Sequence, residues 1–228
     1  MEITYFGHSC FKIVSEVGKK ILIDPWISNP QAPKNIDLGP YDFILITHAH
    51  GDHLGDVQKI ARTSVTEVIA IHEIQQYLLI KGIPKVTGMN IGGTYSTNGL
   101  SFTMVKALHS SSFPDGTYGG EPCGFVITLE NGLSIYHAGD TGLFGDMALI
   151  AELYNPEIAL LPIGDHYVMG PKEAAKACQL IKAKKVIPMH YGTFPILKGT
   201  VEAFVEELNK YPFKPEVLIL KPGESVKL

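Results

Sequence analysis

Residues 43–53 read Phe-Ile-Leu-Ile-Thr-His-Ala-His-Gly-Asp-His. The apolar run Phe43–Thr47 has the character of a strand buried on both faces. Three imidazoles (His48, His50, His53) and the Asp52 carboxylate follow it within six residues. Alternate side chains of an extended stretch share a face, so His48 and His50 can grip one ion. A turn at Gly51 then re-aims Asp52 and His53 toward a second position. Nitrogen and oxygen donors of this kind suit zinc, iron, manganese or nickel. A polar loop with merely exposed histidines would have no reason to pack them so tightly at a strand mouth.

Four ligands on one loop do not complete two coordination shells, so further donors must come from other strand ends. Three residues sit where they are needed. His109 ends the expected strand Leu100–Leu108, Asp140 follows Leu133–His137, and His190 follows Lys185–Met189. The second strand of a hairpin is expected at Leu133 because Asn131-Gly132 is a strong two-residue turn signal. Expected helices cover Leu54–Thr63, His72–Lys81, Leu143–Tyr154, Pro171–Ala183 and Thr200–Lys210, and Val217–Lys221 reads as a last strand. Segments 1–98 and 99–228 share a rhythm of strands followed by alternating helix and strand. No linker separates them, so residues 1–228 read as a single domain with helices outside a strand-rich core.

The run His48-Ala49-His50-Gly51-Asp52-His53 resembles the His-x-His-x-Asp-His motif of the metallo-β-lactamase-fold superfamily. Asp24, His109, Asp140 and His190 match further positions in order, so the resemblance covers nearly the whole chain. Gly7-His8-Ser9-Cys10-Phe11, Asp24-Pro25-Trp26 and Gly170-Pro171 resemble a narrower branch of metal-dependent hydrolases related to the ascorbate-phosphate lactonases. The resemblance implies an α/β fold, a four-layer αββα sandwich with its metal site at one edge. It also implies that His48, His50 and His109 hold a first metal. Asp52, His53 and His190 would hold a second, and Asp140 would bridge both. Asp24 would accept an imidazole N–H and fix its tautomer; its other reading is a strand-end aspartate opening a turn before Pro25.

The chemistry follows from charge. Two divalent ions roughly 3.5–4 Å apart lower the pKa of a shared water to near neutral. The hydroxide then attacks a carbonyl carbon or a phosphorus, with Asp52 or Asp140 orienting it. The expected function is hydrolysis of a small ester, lactone or phosphodiester. Zinc is the first expectation for both ions, with manganese, nickel or iron as alternatives. His8, in a turn between the first two strands, is expected to contact substrate. His166 lies on a loop after the apolar strand Ile158–Pro162 and is expected to contact substrate or act as a general acid. His137 reads as a packed or supporting residue, His72 as a surface residue, and Thr141-Gly142 as a helix cap. Alternatives are a phosphodiesterase or nuclease, and a metal-dependent binding or sensing protein without turnover.

Composition narrows the partners. In 228 residues, 45% hydrophobic and 18% charged content excludes a disordered chain. The formal charge of −4 gives nucleic-acid binding no support without excluding it. No apolar run reaches bilayer-spanning length, and the N-terminal segment has no basic stretch followed by an apolar block. Cys10, Cys123 and Cys178 are an odd set with no pairing pattern. A cytoplasmic protein with a small-molecule substrate and no membrane partner is expected; a homo-oligomer stays open.

Overall fold

The computed structural model describes residues 1–36, 39–62 and 65–228. The chain opens with β1 (Glu2–Tyr5), β2 (Phe11–Val14), β3 (Lys20–Ile23) and β4 (Phe43–Leu45). After β4 come α1 (Gly51–Leu54), α2 (Val57–Ile60), β5 (Glu67–Ile71), α3 (His72–Ile80) and β6 (Val86–Met89). A second run of strands follows: β7 (Thr94–Thr97), β8 (Leu100–Lys106), β9 (Cys123–Thr128) and β10 (Ser134–His137). The chain ends with α4 (Met147–Tyr154), β11 (Ile158–Pro162), α5 (Pro171–Ile181), β12 (Lys185–Met189), α6 (Val201–Leu208), β13 (Glu216–Val217) and β14 (Ser225–Lys227).

These elements fall into two compact units. One holds Met1–Gly93, Ser110–Pro122 and Leu220–Leu228; the other holds Thr94–His109 and Cys123–Ile219. In the first unit the strand order is β14-β1-β2-β3-β4-β5-β6, and in the second it is β13-β12-β11-β10-β9-β8-β7. Both sheets repeat one scheme. The β14-β1-β2-β3 run is antiparallel and β3-β4-β5-β6 is parallel. Likewise β7-β8-β9-β10 is antiparallel and β10-β11-β12-β13 is parallel. The shared rhythm read along the sequence is this repeated topology.

Each unit has its own core. Tyr5, Phe11, Ile21 and Ile23 are fully buried in the first, and Phe102, Phe125, Tyr136 and Phe204 in the second. Every residue of β4, β5 and β11 is buried; apart from Glu67 at the start of β5 they are continuous apolar runs, as parallel strands buried on both faces require. The small side chains Ala174, Ala175, Ala177 and Cys178 form the buried face of α5. On α6, Val201, Phe204 and Leu208 recur at helical spacing and turn inward. The Thr200 hydroxyl caps that helix by accepting the Ala203 N–H at 3.2 Å.

Several expectations are corrected. The single helix over Leu54–Thr63 is two short helices, and its expected end at Thr63 lies outside the described residues. The break falls at Gly55, whose φ is +50° and where a Cβ would stand 2.6 Å from the Trp26 backbone. The helix expected from Leu143 starts at Met147, so Thr141-Gly142 is no helix cap. The Asn131-Gly132 hairpin has a three-residue loop: Leu129 N–H donates to Leu133 O, and Gly132 N–H to Leu129 O. Gly132 alone there takes a left-handed φ, +83°. The two-residue turn is instead Asn98-Gly99 between β7 and β8, with both φ values positive. The last expected strand shrinks to β13, and β14 was not anticipated.

In both sheets the expected site residues follow carboxyl ends of strands, where ligands gather in α/β sheets. Asp24 follows β3 and His48 follows β4; Asp140 follows β10, His166 follows β11 and His190 follows β12.

Candidate metal centre

In the first unit β4 delivers the histidine loop. Ile46 N–H still pairs with Ile69 O of β5, and then the chain leaves the sheet. His50 O accepts the N–H groups of His53 and Leu54, which opens α1, and the His53 ring still packs against that of His48, with centroids 4.1 Å apart. The loop is pinned from one side by Ser111, whose hydroxyl accepts the Ala49 N–H at 3.2 Å. Gly119 packs there so closely that a Cβ would stand 2.2 Å from that of Ala49.

Asp24 and Thr47 set the rings. Asp24 is fully buried. Its Oδ1 accepts Thr47 N–H at 2.9 Å, and its Oδ2 accepts the Thr47 hydroxyl at 2.8 Å and His53 Nδ1–H at 2.7 Å. The Asp24 carboxylate has no hydrogen to give, so His53 carries its proton on Nδ1 and can ligate through Nε2. Having donated to Asp24, the Thr47 hydroxyl is an acceptor for His48 Nδ1–H at 3.1 Å, which leaves Nε2 as the nitrogen of His48 that could take a cation. His48 Nε2 lies 2.9 Å from His50 Nδ1. Two nitrogens on one tetrahedral zinc stand about 3.3 Å apart at ordinary Zn–N lengths, so this pair is nearly at ligand spacing. Asp52 Oδ2 is 3.1 Å from His8 Nε2. Ligand atoms of His8, Asp52 and His53 all lie within 4.8 Å of one another.

The second unit gathers His109, Asp140 and His190. Asp140 Oδ2 lies 2.9 Å from His190 Nε2 and 3.7 Å from His109 Nε2. Asp140 and His190 are buried, and the His109 side chain is 12% exposed. Thr141 knots the surrounding loops. Its hydroxyl accepts Leu108 N–H at 2.9 Å and donates to Gly142 O at 2.7 Å, while its carbonyl accepts Met169 N–H. Leu108 adjoins His109, and Met169 closes the loop carrying His166. Thr141 is therefore a site residue that sequence reading missed; a threonine beside a ligand has no signature until its partners are seen.

His166 is exposed, with its ring edge-on to Tyr167 at 4.4 Å. His8 is fully buried and lies beside the candidate donors, its Nε2 3.1 Å from Asp52 Oδ2. His137 is buried with Nδ1 accepting Gly139 N–H at 3.1 Å, a supporting role as expected. His72 is exposed at the start of α3.

Backbone strain collects at these positions. Among the described residues eight non-glycines have a left-handed φ, and five of them are His8, Asp24, Asp165, His166 and His190. Such conformations persist where surrounding structure overrides their cost of about 1–3 kcal/mol, and they mark the same loops that the ligand pattern marks. No sequence signal announces them.

The cysteines are buried and unbridged. Burial, helped by the Asp24 and Asp56 carboxylates, pushes the Cys10 thiol well up, and burial pushes Cys178 up to about 12. Burial also raises the Tyr136 hydroxyl. These groups stay protonated and are poor nucleophiles, whereas the converging imidazoles and carboxylates have the chemistry of cation ligands.

A family model for the beta-lactamase superfamily domain matches residues 2–190. The chain belongs to this superfamily. Among its relatives are metal-dependent hydrolases. A UPF0173 metal-dependent hydrolase of Methanopyrus kandleri is 49% identical over 99% of both chains. One of Rubrobacter xylanophilus is 46% identical over 98% of this chain and 95% of its own. The solved structure of Igni18, a metallo hydrolase of Ignicoccus hospitalis, superposes with a TM-score of 0.89 at 40% identity, covering 99% of this chain and 97% of that one. The superfamily fold expected from the motif order is thus established, and with it a metal-dependent hydrolase. No helix among the described residues is long and apolar enough to cross a membrane.

Proposed function

We propose that this hydrolase cleaves a small ester, lactone or phosphodiester at a binuclear centre, with zinc as the first choice of ion. The observation that best supports it is the sorting of donors within the first unit. His48 Nε2 and His50 Nδ1 pair at 2.9 Å, while Asp24 orients His53 and His8 meets Asp52. In this reading His48, His50 and His109 hold one cation. Asp52, His53 and His190 hold the other, and Asp140 serves both. Residues 1–228 then work as one catalytic domain.

Bound divalent cations would supply the Lewis acidity that brings a water's pKa to near neutral and polarises a substrate oxygen. The chain's own residues do the rest. Asp24 and Thr47 hold imidazole protons on Nδ1 of His53 and His48, so that Nε2 faces the ligand position. Asp52 and Asp140 orient the attacking water. His166, exposed on a strained loop tied to Thr141, gives a proton to the leaving oxygen; an imidazole does this near neutral pH.

The test is elemental analysis of protein purified without chelator or affinity metal, followed by assays on p-nitrophenyl esters, lactones and bis-p-nitrophenyl phosphate. About two ions per chain and chelator-sensitive turnover are expected. Asp140→Ala should lower metal content and abolish turnover. One ion per chain, or full activity in that variant, would refute the binuclear reading. Binding of these compounds without turnover would replace hydrolysis by a sensing role.

A further inference from the structure

The His8 side chain has no solvent exposure. It sits in the tight turn between β1 and β2, closed by Cys10 N–H to Gly7 O at 3.0 Å and Phe6 N–H to Cys10 O at 2.8 Å. Its own φ is +55° and that of Gly7 is +99°. A left-handed histidine is costly, and this one is held on both sides. Gln31 Oε1 accepts its N–H at 3.2 Å, and the Tyr5 hydroxyl donates to its carbonyl at 3.1 Å. The ring meets Trp26 edge-on at 5.2 Å. Nε2 lies 3.1 Å from Asp52 Oδ2. A carboxylate oxygen has no hydrogen to offer, so the imidazole donates.

We propose that His8 is a positioning residue, which donates Nε2–H to Asp52 Oδ2 and thereby turns Oδ1 of Asp52 toward the cation. Asp52 is only partly shielded, with 26% of its side chain exposed. A ligand carboxylate held by a hydrogen bond loses less freedom when the cation arrives. This inference rests on the reading of Asp52 as a ligand.

Three variants test it. His8→Gln keeps an amide N–H at about the reach of Nε2. His8→Asn tolerates left-handed backbone but stops short of Asp52. His8→Phe keeps the ring against Trp26 without any donor. Zinc affinity is read by competition with a chromophoric chelator, and coordination by the visible spectrum of the cobalt-loaded protein. His8→Asn and His8→Phe should weaken one of two ions about 10–100-fold, and His8→Gln should recover most of that loss with an unchanged cobalt spectrum. Wild-type affinity in His8→Asn would overturn the proposal, as would a raised KM with metal affinity intact. Loss of an ion in all three variants, with an altered cobalt spectrum in His8→Gln, would make His8 a ligand rather than a positioner. If His8→Phe does not fold, the Asn and Gln pair decides alone. Asp52→Ala serves as control: were it to bind both ions normally, the ligand reading of Asp52 would fall, not merely the role of His8.

Discussion

Replacing Asp24 with asparagine is nearly isosteric, yet it should disable His53. The carboxylate accepts three hydrogen bonds in a site without solvent, at 2.9, 2.8 and 2.7 Å. An amide can keep only one oxygen. If that oxygen faces the Thr47 N–H, the NH2 group takes the place of Oδ2 and points at His53 Nδ1. Two donors then meet unless the imidazole moves its proton to Nε2. The opposite flip leaves the buried Thr47 N–H facing an NH2 group, at a cost of about 1–3 kcal/mol. The first arrangement wins, and His53 then presents N–H where a lone pair is needed. The lost charge-assisted bond is worth about 1.5–3 kcal/mol of folding stability. Losing the oriented nitrogen should weaken metal binding about 10–100-fold, or about 1.4–2.7 kcal/mol. Chelator competition measures the affinity, and long-range 1H–15N correlation reads the His53 tautomer in the metal-stripped protein. An Asp24→Asn protein that binds zinc normally, with His53 still protonated at Nδ1, would refute the reasoning.

His166→Ala should lower turnover and spare metal content; loss of an ion, seen by elemental analysis, would make His166 a ligand. Asp42 answers to pH. Burial raises its pKa, but the Lys19 ammonium at 2.8 Å and the Lys20 N–H at 2.8 Å outweigh that and hold it low. Its folded pKa therefore lies below the unfolded value of about 3.9. The stabilisation is present above about pH 4 and fades as pH falls through the folded value. Urea unfolding from pH 7 to pH 3 should show Asp42→Asn less stable at the top and less steeply destabilised at the bottom. Native protein should resist thiol reagents, since Cys10 and Cys178 are buried and raised and Cys123 is buried; prompt labelling would mean that the cores open readily.

Much of the site was legible because its chemistry is local. Two-residue spacing fixes which way His48 and His50 face, and buried strands announce themselves by unbroken apolar runs such as Phe43–Leu45 and Ile158–Pro162. Helix beginnings were less legible. Residues 143–146 read Leu-Phe-Gly-Asp; Gly145 disfavours helix and Asp146 is an N-cap type, and α4 begins only at Met147. The Leu54–Thr63 pattern hid a break forced by the approach of Trp26 to Gly55, a contact between segments about thirty positions apart.

The sequence by itself determined the candidate donors, the alternation of strands and helices, and the family. Ligand identity and strand burial are properties of residue type and short-range period. The tertiary structure alone decided which supporting groups hold the ligands. His8 reaches Asp52 across 44 positions, Asp24 reaches His53 across 29, and Leu108 reaches Thr141 across 33. A single hydrogen bond at such separation leaves no period and no composition in the chain. It exists only because the turns after the strands, several in left-handed backbone, bring those atoms to within about 3 Å.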